Sequence, residues 1–142
     1  MIINLIGQPG AGKTTIAKQL TELIPDSINI DGDELREIFV NKDYSETGRR
    51  NNITNAYNIA LFLECKGFTP VISLVSPYRD LREGLKDKVE VREFFIHTSS
   101  LRGRENFFVK DYEPPLERFI DIDTTSKSIE ECVEIVLNEI SK

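Results

Sequence analysis

The chain has 142 residues, of which 39% are hydrophobic and 30% charged, with a formal net charge of −6. That length supports one compact domain spanning residues 1–142 and is short for two. The negative balance argues against a nucleic-acid polymer as partner, because a polyanion would have to be met by a local basic patch.

Apolar patterning sets out the elements in chain order. Ile2–Ile6 reads as a strand, followed by a glycine-rich turn and a helix over Thr14–Leu23 with Ile16, Leu20 and Leu23 on one face. A second strand, Ile28–Ile30, leads into "DGDELR" and a short helix, Glu34–Val40, for which Asp33 is a candidate N-cap and Gly32 the turn. Gly48–Lys66 is helical, with Ile53, Ala56, Tyr57, Ala60 and Leu61 along one side. Strands follow at Pro70–Val75, Glu93–His97 and Phe119–Ile122, and Ser128–Ile140 closes the chain as an amphipathic helix. Strands alternating with helices imply an α/β fold with three layers and a central parallel sheet of about five strands, its ligands at the carboxyl ends.

Cys65 and Cys132 share no metal-ligand spacing and are expected to be buried thiols in a reducing compartment. The longest apolar runs, such as "PVISLV", fall short of a membrane span, and Met1 leads directly toward a glycine loop. A cytoplasmic protein without membrane partners is the expectation.

The strongest motif is "GQPGAGKTT", Gly7 to Thr15, which satisfies G-x-x-x-x-G-K-[ST] between a strand and a helix. Glycines let successive backbone N–H groups face phosphate oxygens, and the helix N-terminus adds its positive dipole end. Gly7, Gln8, Pro9, Gly10, Ala11, Gly12, Lys13, Thr14 and Thr15 are therefore the candidate ATP-binding residues. Lys13 would meet the β- and γ-phosphates and Thr14 would ligate Mg²⁺. The second strand ends in Asp31-Gly32-Asp33, where a carboxylate can accept a substrate hydroxyl's proton or hold the water shell of Mg²⁺. Arg36, one turn further on, suits an anion on the acceptor. His97 ends an apolar strand with no metal ligand or nucleophile beside it, so a structural role is expected.

"GQPGAGKTT", "DGDELR", "YSETGRRNNI" and "SLVSPYR", in this order, with "YEPP" and "DIDTT" further on, resemble the adenylylsulfate kinase (APS kinase) family. The resemblance implies a P-loop kinase that moves the γ-phosphate of ATP, with Mg²⁺, to the 3′-hydroxyl of a small nucleotide, adenylylsulfate first. It implies a catalytic set of Lys13, Asp33, Asp31 and Ser76, a metal set of Thr14 and Asp31, and Arg102 on the ATP side. Asp33, Arg36, Tyr44, Arg49, Asn52 and Ser76 would bind the acceptor, Tyr44 by stacking on its base. The family labels the serine of the SPYR turn a phosphoserine intermediate. A P-loop site already aligns donor and acceptor for in-line transfer, so Ser76 is expected to touch the acceptor from its strand end. Family members often form homodimers.

Departures cluster on the acceptor side. Gly48 stands for an aspartate and Thr54-Asn55 for a basic pair. The lid is reduced to "SSLRGRENFFVKDYEPP", residues 99–115. There Arg102 matches the leading arginine, Gly103 and Glu105 replace an aspartate and a lysine, and an F-T-G-I-D stretch is missing. Phe107 or Phe108 could supply the lost stacking face, and Lys110 with Arg102 and Arg104 could stabilise charge on the transferred group. Two alternatives stay open: a same-fold kinase for a modified cytidine nucleotide, a nucleoside or a sugar, and a nucleotide-binding module without transfer activity.

Overall fold

The computed structural model describes residues 1–100 and 107–142. Five parallel strands form one sheet in the order β2-β3-β1-β4-β5. In chain order these are β1 (Ile2–Ile6), α1 (Lys13–Leu23), β2 (Ser27–Asp31), α2 (Gly32–Ile38), α3 (Glu46–Cys65), β3 (Thr69–Ser73), α4 (Arg79–Lys86), β4 (Val91–His97), β5 (Ile120–Asp123) and α5 (Ile129–Ile140). Helices cover both sheet faces, α1 and α5 one and α2, α3 and α4 the other, which is why β1 is buried at every position instead of alternating.

Two cores lie on opposite faces. Ile3, Leu5, Val71, Phe94, Ile96 and Ile122 meet Ile16 and Leu20 of α1 and Cys132, Val133 and Val136 of α5. Ile2, Ile30, Ile72 and Leu74 meet Leu35 of α2, Ile53, Ala56, Tyr57 and Ala60 of α3, and Leu85 of α4. The capping chemistry is local: Ser128 and Glu131 form a reciprocal capping box on α5, and the Ser45 hydroxyl accepts the Gly48 N–H at the start of α3.

Several boundaries move for identifiable reasons. β3 stops at Ser73, short of the expected Val75, because its pairing with β2 ends at Asp31↔Ser73. Because β2 runs through Asp31, α2 begins at Gly32, and Asp31, not Asp33, caps it. Helix α4, for which the apolar spacing gave no range, leads out of the "SPYR" turn. Cys132 is buried as expected, whereas Cys65, the last residue of α3, is exposed. Among the described residues, no helix is long and apolar enough to cross a membrane.

Candidate active site

The loop between β1 and α1 carries the backbone geometry its glycines permit. Gly7, Gly10 and Gly12 have φ of 143°, 84° and 106°. At Gly7 the need is also steric: a Cβ there would lie 2.0 Å from the carbonyl oxygen of Ile96. Gly12 caps α1 and, lacking a side chain, offers the first-turn N–H groups no acceptor of its own. Lys13 is buried and its Nζ donates to the Gln8 carbonyl, 2.8 Å away, curling back over the loop. Thr124 ties the loop to β5 by donating its hydroxyl to the Ala11 carbonyl at 3.0 Å.

Asp31 joins the loop to the next strand. Its Oδ2 accepts from the backbone N–H groups of Asp33 and Glu34, and its Oδ1 accepts the hydroxyls of Thr14 and Ser73, each at 3.0 Å. Three hard oxygen donors converge there. Among the described residues no group of three His, Cys, Asp or Glu side chains gathers. A carboxylate and hydroxyls without a full protein cage fit Mg²⁺, which keeps waters and takes phosphate ligands. Asp33, freed from capping, stands exposed in the first turn of α2.

One cleft of about 640 Å³ unites these groups. Pro9, Gly10, Gly12, Lys13, Thr14, Thr15, Asp31 and Asp33 form one part of its wall, and Arg36, Tyr44, Arg49, Asn52, Ser76 and Phe107 another. Gly7, Gln8 and Ala11 are not among the residues that line it. Phe108 and Lys110 are not brought to it: Phe107 and Val109 face the cleft, and the residues alternating with them do not. Arg102 and Arg104 lie outside the described residues.

Several of the residues expected on the acceptor side already make bonds within the protein. Arg36 Nη1 donates to Asn41 and Asp43, and its guanidinium sits 4.0 Å from the centroid of the Tyr44 ring. Asn52 donates to the Gly32 carbonyl at 3.3 Å. Ser76 is 1% exposed with a left-handed φ of 47°, and its hydroxyl accepts from Tyr57, whose oxygen accepts from Asn4. Burial pushes the Tyr57 hydroxyl's pKa up, so it remains a donor.

Beneath Ser76 lies a charged layer that the local pattern did not announce. Arg82, fully buried, donates Nη1 to the Ser76 carbonyl at 2.6 Å and Nη2 to the Glu113 carbonyl. Buried Glu93 on β4 faces Arg82 and pairs with Lys86 at 3.0 Å. Burial raises its pKa, against the pull of Lys86 and Arg82. The returning segment is stitched to the same turn: Tyr112 donates to the Val75 carbonyl and Glu113 N–H to the Pro77 carbonyl. Ser73 was also missed, its only signal being a hydroxyl at the end of an apolar run. His97 pairs with Asp121 across β4 and β5 at 2.9 Å, in keeping with a structural role.

Residues 1–105 match the family model described as adenylylsulphate kinase. An adenylyl-sulfate kinase of Vibrio parahaemolyticus is 30% identical, over 96% of this chain and 79% of its own length. A cytidine diphosphoramidate kinase of Campylobacter jejuni is 26% identical over 99% of this chain and 96% of its own. The fold superposes with a TM-score of 0.82 on the Mycobacterium tuberculosis APS kinase in complex with AMPPNP and APS, at 19% identity and covering 99% and 97% of the two chains.

Proposed function

The chain belongs to the adenylylsulfate kinase family, and from that premise we propose that it transfers the γ-phosphoryl group of ATP to the 3′-hydroxyl of a small nucleotide, adenylylsulfate first. The observation that carries this reading is the double engagement of Asp31, which holds Thr14 of the phosphate loop through one oxygen while capping α2 through the other. That fixes the donor loop against the turn carrying Asp33, so one cleft offers an anion cradle and a carboxylate base side by side.

In this reading Lys13 and the first turn of α1 hold the donor phosphates. Thr14 and Asp31 would hold Mg²⁺, which neutralises phosphate charge when bound. Asp33 accepts the proton of the attacking hydroxyl as the new O–P bond forms and ADP departs. Arg36, Tyr44, Arg49, Asn52, Ser76 and Phe107 form the acceptor's surroundings.

A second acceptor is favoured by one comparison. The cytidine diphosphoramidate kinase is matched over nearly its whole length, and the departures at Gly48, Thr54 and Asn55 fall on the acceptor side. ATP turnover coupled to ADP detection, run with adenylylsulfate, cytidine diphosphoramidate and simple sugars, decides. Stimulation by adenylylsulfate is expected. Turnover on cytidine diphosphoramidate alone replaces the substrate, and ATP binding without stimulation by any acceptor leaves a binding module.

A further inference from the structure

The segment between α2 and α3 is interlocked through four side chains. Asn41 donates Nδ2 to the Gly48 carbonyl at 2.9 Å, and its Oδ1 accepts from the Asp43 N–H at 3.0 Å and from Arg36 Nη1 at 3.3 Å. Arg36 Nη1 donates in addition to the Asp43 carbonyl at 3.0 Å. The Asp43 carboxylate accepts the Ser45 N–H at 2.9 Å, and Ser45 in turn caps α3 on Gly48.

Gly48 is the keystone by what it lacks. A Cβ at this position would lie 2.0 Å from the Asp43 carbonyl oxygen and 2.5 Å from its Cβ and Cγ. Gly48 does not have a positive φ; it sits in the first turn of an ordinary helix, where alanine would normally be the better residue. Its glycine therefore serves close approach, not backbone freedom. Asp43 occupies the space a side chain would fill, and Tyr44 follows it directly in the chain. The Tyr44 ring is 61% exposed yet held by Arg36 on one face while lining the cleft. Among the described residues the Arg49 guanidinium has no hydrogen bond or ion pair, so on this wall Arg49 is available to an anion while Arg36 is committed.

We propose that Gly48 is a specificity-determining position for the acceptor: it seats Asp43, and so holds the Tyr44 ring, backed by Arg36, as a preformed stacking platform for the acceptor's base. Arg36 is then a positioning residue for Tyr44. The inference rests on the phosphoryl-transfer reading above and deepens it.

The test is Gly48→Ala, assayed with whichever of adenylylsulfate and cytidine diphosphoramidate the wild-type protein phosphorylates. The acceptor KM should rise by roughly 10-fold or more, the scale of one lost base–aromatic stack, with kcat at saturating acceptor and the KM for ATP within about 2-fold. Amide exchange at Asp43 and Ser45 should accelerate while that of β1 does not. An unchanged acceptor KM, or an equal rise in both KM values, overturns the proposal. Should Gly48→Ala not fold, Tyr44→Ala against Tyr44→Phe carries the same test: alanine should raise the acceptor KM and phenylalanine preserve it, and a wild-type KM in Tyr44→Ala overturns the platform. Failure of the function itself looks different, because the wild-type protein would then turn over neither nucleotide, and both readings fall together.

Discussion

The Gln8 side chain and the Val109 backbone bond each other twice: Gln8 Nε2 donates to the Val109 carbonyl and the Val109 N–H donates to Gln8 Oε1, both at 2.9 Å. A side-chain amide thus copies one rung of a β-ladder and pins the end of the 99–109 connection to the phosphate loop. The loop's conformation and the position of Phe107 are linked through it. Gln8→Leu leaves a part-buried donor and acceptor unpaired, at a cost of about 1–3 kcal/mol. Thermal unfolding should report that loss, and calorimetric titration should show weaker ATP-analogue binding, by about 3- to 10-fold. Unaltered binding would mean the phosphate loop holds its shape without this tie.

The two aspartates of "DGDELR" should separate cleanly on mutation. Asp33→Asn is expected to lower turnover by at least about 10²-fold, the usual scale for a lost general base, while ATP binding persists. Asp31→Ala removes the α2 cap and the acceptor for Thr14 and Ser73 together. It should cost about 1–2 kcal/mol from the cap alone and weaken Mg²⁺-dependent nucleotide binding as well. Equal effects of the two variants on binding and turnover would contradict this division of labour.

Tyr57 supports the cleft from below. Its hydroxyl donates to Ser76 and accepts from Asn4 in a fully enclosed chain of polar groups. Tyr57→Phe strands both partners and should destabilise the fold by about 1–3 kcal/mol. A denaturant midpoint equal to that of the wild type would show that water takes over both bonds.

Glu93 gives the pH dependence. Its folded pKa is raised, chiefly by burial, above the ordinary 4.5. A raised carboxyl pKa favours the protonated native state, so that contribution is complete below the ordinary value and is lost as pH rises through the folded one. Glu93→Gln keeps a neutral side chain of the same shape beside Lys86 and Arg82 and removes the titration. Its stability should therefore stay level where that of the wild type falls as pH rises through the folded pKa. Urea midpoints for both proteins from pH 4 upward measure this, and two curves that stay parallel refute it.

Legibility in the sequence followed the range of the interactions. The phosphate loop, the strand-helix alternation and the amphipathic face of α5 depend on neighbours a few residues apart, and each was readable from spacing. The α2 cap was misassigned by two residues because Asp31 and Asp33 are equally good cap chemistries. The choice is made by β3, whose pairing carries β2 through Asp31. Gln8 and Val109 lie 101 positions apart, and no local pattern ties them together. Arg82 and Glu93 went unread as a pair: Glu93 opens an apolar strand, and Arg82 lies in a stretch to which the spacing assigned no element. Only the fold shows that they occupy the interior behind Ser76, where the carbonyls of Ser76 and Glu113 accept what the arginine donates.

The unequal exposure of the two thiols has a practical consequence. Cys132 is enclosed between α5 and the sheet, whereas Cys65 stands open at the last turn of α3. Cys65 lies thirteen helical positions beyond Asn52 on the cleft wall, a distance of about 20 Å along the helix axis. A maleimide fluorophore should therefore attach at one site without any cysteine having to be removed. From there it can report nucleotide binding by energy transfer to a labelled ligand while the catalytic face stays chemically untouched.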